Sequence, residues 1–131
     1  MSVGKPRIDL DAPLTGDFQP VVRLIIGGIA ERVDFAFEEI DDLQLAVERL
    51  LAEAGSQRSV HMSFELEEGH VRTRVGPLSE RAIGDALRDG DAAPGQLNLK
   101  RVLQTVVDSF GVEDVSNGGI VVRLEKVRAV P

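Results

Sequence analysis

Val60-His61-Met62-Ser63-Phe64-Glu65-Leu66-Glu67-Glu68-Gly69-His70-Val71-Arg72-Thr73-Arg74-Val75 decides the fold. Val60, Met62, Phe64 and Leu66 alternate with His61, Ser63, Glu65 and Glu67, and a period of two describes a strand with one buried face. Glu68-Gly69 turns the chain, and Val71, Thr73 and Val75 carry the same period through a return strand that Gly76-Pro77 ends. A hairpin apolar on one side needs something to cover that side.

The cover lies upstream. Leu43, Ala46, Val47, Leu50 and Ala54 repeat at helical spacing, Glu38, Glu39, Asp41 and Asp42 load the helix start with negative charge that suits its dipole, and Gly55 is a natural stop. A preceding helix is expected from Phe18 to about Arg32, with Asp17 as N-cap and Pro20 in the first turn. Its apolar stripe is Val21, Leu24, Ile25 and Ile29, widened by Val22 and Ile26, and close packing is expected at Gly27-Gly28. Before it, Arg7 to Leu10 reads as a short strand.

Downstream, a short helical piece leads into Gly84 to Gln96, a segment with three Gly, one Pro and three Asp that reads as a loop. Leu99, Val102, Leu103, Val106 and Phe110 then give a third clear helix. Val112 to Val115 and Ile120 to Val127 form a closing hairpin around Asn117-Gly118, a strong turn signal. The order β, α, α, β, β, (α), α, β, β describes one domain over residues 1–131, an α/β (α+β) two-layer sandwich. Its sheet is expected to be mixed, mainly antiparallel, and covered on one face by helices.

Composition narrows the function. The chain has 131 residues, 43% of them apolar, and no stretch near the length needed to cross a bilayer, so a cytoplasmic protein that does not bind membranes is expected. The absence of Cys removes disulfides, thiolate metal sites and cysteine nucleophiles. A net charge of −7 and 4% aromatic residues oppose nucleic-acid binding, which needs basic surface and stacking groups. His61, outward on its strand, and His70, beside the turn, lack metal-ligand spacing and read as solvated.

Three segments resemble the Bergerat-type, histidine-kinase-like ATPase domain, in the branch of bacterial anti-sigma factors and serine-protein kinases. Ile40-Asp41-Asp42-Leu43-Gln44-Leu45-Ala46-Val47 resembles the start of the helix that carries the family's asparagine motif. Val71-Arg72-Thr73-Arg74-Val75-Gly76-Pro77 resembles the strand and turn of the adenine-reading aspartate. Leu97-Asn98-Leu99-Lys100-Arg101-Val102-Leu103 resembles the glycine-rich motif opening the last helix.

The resemblance implies nucleotide-site positions at Glu53, Gly76, Gly95 and Asn98. The family's catalytic base falls on Arg49, which stays protonated and cannot accept a proton, so no catalytic residue is assigned. The magnesium-holding Asn falls on Glu53, which is the one candidate metal ligand. The Arg49–Glu53 spacing also reads as an i, i+4 surface ion pair. No aspartate stands near Gly76, Leu78 replaces a second glycine, and Gln96 and Asn98 replace glycines that let backbone amides approach phosphate. The expectation is therefore weak or lost ATP binding, with no cofactor, or ATP with magnesium if the site functions. The resemblance further implies a regulator whose partners are a sigma factor, an anti-anti-sigma protein of the STAS type, or a second copy in a homodimer. Helix 18–32 and loop 84–96 are the expected contact surfaces. The enzymatic alternative is an ATP-dependent serine kinase acting on an anti-anti-sigma factor.

Overall fold

The computed structural model describes residues 5–89 and 98–129. β1 (Arg7–Pro13) leads through a 3-10 turn into α1 (Gln19–Arg32) and α2 (Phe37–Ala52). β2 (Ser59–Glu67) and β3 (His70–Leu78) follow, then α3 (Arg81–Asp89), α4 (Leu99–Val106), β4 (Ser109–Asp114) and β5 (Ile120–Val127). The strands lie in the order β1-β2-β3-β5-β4. Every neighbouring pair is antiparallel, so the sheet is not mixed.

The central hairpin forms as its alternation requires. Gly69 takes the turn at φ 69°, and Met62 pairs with Val75 and Phe64 with Thr73. Val60, Met62, Phe64, Leu66, Val71, Thr73 and Val75 are all buried. β5 adds Val122 and Leu124 to the same layer, against Ile26, Leu43, Val47, Leu50 and Leu103 of the helices. Each such side chain is worth about 1.5–3 kcal/mol when removed from water. The opposite face carries ion pairs, among them Arg72–Glu125 at 3.0 Å and Arg74–Glu113 at 3.1 Å.

A charged residue also enters the helix-covered layer. Lys126 continues the inward alternation of β5, and its Nζ donates to Val106 O at 2.9 Å and meets Asp42 Oδ2 at 3.2 Å. It thus ties the last turn of α4 to α2, where a cation suits the negative end of the helix.

Four expectations change. α1 buries Val22, Ile26, Ile29 and Ala30, whereas Val21 and Leu24 face water at 46% and 75% exposure. The unbroken apolar run from Val21 to Ile26 allows either stripe, and docking on α2 and the sheet selects one. Asp17 is no N-cap, because Gly16–Phe18 form the 3-10 turn and Phe18 precedes the helix without a side-chain cap. Phe110 belongs to β4, opposite Leu124, since pairing with β5 overrides its helical spacing. Residues 84–89 are helical rather than loop: a Cβ on Gly84 would sit 3.4 Å from Ile120, and α3 lies over β4 and β5 there. Residues 90–96 of the expected loop lie outside the described residues.

Candidate functional site

The site grows from the C-terminal end of α2. Ala36 precedes that helix, and the Ala36 N–H donates to Glu39 Oε1 at 2.6 Å, one half of a capping box. Helical periodicity from there places Arg49 and Glu53 on one side of the last turn, with Glu53 as C-cap. Their charged atoms are 4.0 Å apart and both side chains are partly exposed, a loose i, i+4 ion pair. Such a pair contributes only a few tenths of a kcal/mol.

Across from this turn, Ser79-Glu80 lead into α3. Glu80 Oε1 accepts from Ala82 N at 3.4 Å, and Gln57 accepts from the Ser79 N–H at 2.9 Å while donating to Pro77 O at 2.9 Å. The chain leaving β3 is thereby tied to the chain leaving α2. α4 starts nearby with Asn98 as N-cap, its Oδ1 accepting from Arg101 N at 2.8 Å. Between these three ends lies an open cavity of about 570 Å³ lined by Arg49, Glu53, Glu80, Ile83, Asn98 and Leu99 among others.

The structure therefore brings Arg49, Glu53 and Asn98 together. Gly76 is elsewhere: it is buried in β3 at φ 145°, and a Cβ there would lie 2.6 Å from Ile120 O, so its glycine serves the close approach of β5 at the register shift between Val75 and Leu78. Leu78 is fully buried core. Gly95 and Gln96 lie outside the described residues. Sequence reading missed Glu80 and Ile83; the signal was Ser79-Glu80 after Pro77, a helix-start pattern.

Chemically, Arg49 is a donor with capacity to spare: its Nε is buried without a hydrogen-bond partner. It shares the cavity lining with two carboxylates, Glu53 and Glu80. Among the described residues no three His, Cys, Asp or Glu side chains converge as a metal site. Without a cation between them, Glu53 and Glu80 would repel a triphosphate; with one, carboxylates are the kind of ligand that magnesium takes.

Both histidines are partly exposed, as expected, and both meet acids. His61 Nδ1 lies 2.7 Å from Asp11 Oδ1 and its Nε2 lies 2.9 Å from Asp9 Oδ1, so the ring bridges two acids of β1. Asp11 and then Asp9 raise the His61 pKa. Arg7 and His61 in turn lower that of Asp9. His70 sits 3.1 Å from Glu67.

The architecture, a five-stranded antiparallel sheet with helices, is consistent with a histidine-kinase-like, Bergerat-type two-layer domain. No family model matches the chain. The serine-protein kinase RsbW of Bacillus subtilis is 26% identical over 86% of this chain and 68% of its own length. RsbW of Bacillus velezensis is 26% identical over 92% and 72%, and that of Halalkalibacterium halodurans 28% over 96% and 86%. The chain is thus similar to RsbW proteins over most of its length, which supports the anti-sigma-factor branch of these domains. Among solved structures, the RsbU and RsbW domains of Rv1364c from Mycobacterium tuberculosis superpose with a TM-score of 0.63 at 17% identity, over 96% of this chain and 34% of that one, a likeness of fold.

Proposed function

We propose that this single domain, residues 1–131, is an anti-sigma-factor-like regulator of transcription or stress response that works by protein binding, with weak or lost ATP binding. The observation that carries the reading is Arg49. In a relative of RsbW, the position that the resemblance gives to a catalytic base holds a group that accepts no proton, at the rim of a cavity shared with Glu53 and Glu80. Sequestration needs a complementary surface rather than turnover, so it survives that change.

The partners in this reading are a sigma factor and a STAS-type anti-anti-sigma protein, and self-association into a homodimer belongs to it. The docking surfaces are helix 18–32, whose Phe18, Val21 and Leu24 are exposed, and the segment 84–96. No described helix is long and apolar enough to cross a membrane, and the protein acts in the cytoplasm without nucleic acid.

Titration of Mg-ATP into the protein by calorimetry tests the reading. Heat absent at millimolar nucleotide supports a binding regulator; micromolar affinity overturns the loss of ATP binding. In that event the serine-kinase reading takes its place. Phosphate transfer to a serine of an anti-anti-sigma protein, abolished by Glu53→Ala, would establish the kinase and place Glu53 at its metal. Unchanged transfer in that variant would remove Glu53 from the site.

A further inference from the structure

We infer that the cavity between the ends of α2, α3 and α4 binds a small zwitterion with an apolar body, of the class of the aliphatic α-amino acids. The inference goes beyond the protein-binding reading and does not depend on it.

The cavity holds unspent charges of both signs. Arg49 supplies the positive one. No acceptor in the protein takes its Nε, and its side chain is 38% exposed. Among the described residues its one ion pair is the loose contact with Glu53 at 4.0 Å. Glu80 supplies a negative one. Among the described residues it forms no ion pair, and its carboxylate accepts only from Ala82 N at 3.4 Å, a long contact. Its position is nonetheless defined. Gln57 holds Ser79 and Pro77, and Glu80 Oε2 lies beside the turn that follows α2, where a Cβ on Gly55 would be 3.6 Å away. Arg49 and Glu80 thus line one cavity without pairing with each other.

The charges select the ligand. An oxyanion satisfies the exposed end of Arg49 with the short, charge-assisted bonds that Glu53 at 4.0 Å does not make. An anion alone is repelled by Glu53 and Glu80. A cation alone suits the two carboxylates, but on Glu53 it competes for the one counterion that Arg49 has. A ligand with both signs serves all three groups. In an α-amino acid the carboxylate and the ammonium sit on one carbon, within a few ångströms of each other, a spacing comparable to that of the charged atoms of Arg49 and Glu53. The carboxylate therefore falls to Arg49 and the ammonium to Glu53, with Glu80 as its second acceptor.

The remaining lining selects the body of the ligand. Ala82 and Ile83 of α3 and Leu99 of α4 present apolar surface, and Ile83 and Leu99 are core residues that do not move aside. An aliphatic side chain laid against them leaves water. The volume of about 570 Å³ lies within the range of small-molecule sites, roughly 300–1,000 Å³. The cavity is open, so both charged ends keep part of their hydration, and a Kd on the order of 0.1–1 mM is expected.

Titration of L-leucine into the full chain in metal-free buffer, followed by two-dimensional amide NMR, tests the assignment. Saturable shifts at the ends of α2, α3 and α4 are expected. N-acetyl-L-leucine lacks the ammonium and L-leucinamide lacks the carboxylate, and each is expected to bind about tenfold more weakly. Arg49→Gln and Glu80→Gln are each expected to weaken leucine binding about tenfold. Both side chains are partly exposed, and the variants' own amide spectra report that they remain folded. Leucine that causes no shift where millimolar affinity would show overturns the site. Leucinamide binding as well as leucine replaces the zwitterion with a simple cation, and N-acetyl-leucine doing so replaces it with an anion; either result overturns the inference. Leucine binding that neither variant weakens overturns the placement. The protein-binding reading is decided separately, by Mg-ATP calorimetry and by its partners.

Discussion

Glu39→Gln tests how the chain terminus is fastened. Glu39 is only 8% exposed, and its two oxygens accept from the backbone N–H groups of Ala36 and Ala129. One contact caps α2 and the other holds the segment beyond β5. Burial opposes the charged form, but the two N–H groups, with Lys126 and Arg128 nearby, outweigh it and leave the pKa below the ordinary carboxylate value. Glutamine keeps one acceptor and turns an NH2 toward the other N–H. One charge-assisted bond is lost and one becomes neutral, a cost of about 2 kcal/mol. At ~2.1 cal/mol/K of unfolding entropy per residue, that lowers Tm by about 7 °C for a chain of this length. Urea denaturation is expected to show a lower midpoint with an unchanged slope. The sign with pH is fixed by the depressed pKa. The stabilisation is complete above the unfolded-state carboxylate pKa and is lost as pH falls through the folded value, so wild type and variant converge in acid. A neutral-pH difference under ~0.5 kcal/mol, or a gap that widens on acidification, refutes the reasoning.

Gly76→Ala is expected to cost about 3 kcal/mol or more in urea titrations, because a Cβ at φ 145° meets Ile120 O at 2.6 Å and neither backbone has room to yield. Gly28→Ala should stabilise the dilute protein by about 0.5–1 kcal/mol, since a Cβ there meets nothing within 4 Å. Gly27→Ala, which meets Gln44 Nε2 at 3.0 Å, should gain less in the same melts. The His61 imidazole, followed by NMR, should titrate above its usual value of about 6.5. Asp11→Asn should lower that midpoint more than Asp9→Asn, as Asp11 is the stronger contact. Because the folded-state pKa is raised, the histidine's stabilisation of β1 is full below the unfolded-state value and fades as pH rises through the folded one.

What the sequence determined by itself is everything set by a local period. Val60 to Val75 specified a hairpin because alternation and a Gly turn act within a few residues. Leu43 to Ala54 specified a helix and its buried face, and Asn117-Gly118 marked the closing turn. The Arg49–Glu53 pair was equally legible, since four residues along a helix fix a distance without any help from the rest of the chain. Tertiary structure decided what local patterns leave degenerate. The apolar run Val21 to Ile26 has two workable stripes, and only contact with α2 and the sheet chose Val22 and Ile26. Phe110 fits a helical period, yet β5 offered a ladder of backbone bonds that the helix end lacked. Glu80 reached the cavity, and Asp9 and Asp11 reached His61, because strand order and helix docking bring distant segments together at a cost in chain entropy that local pattern does not record.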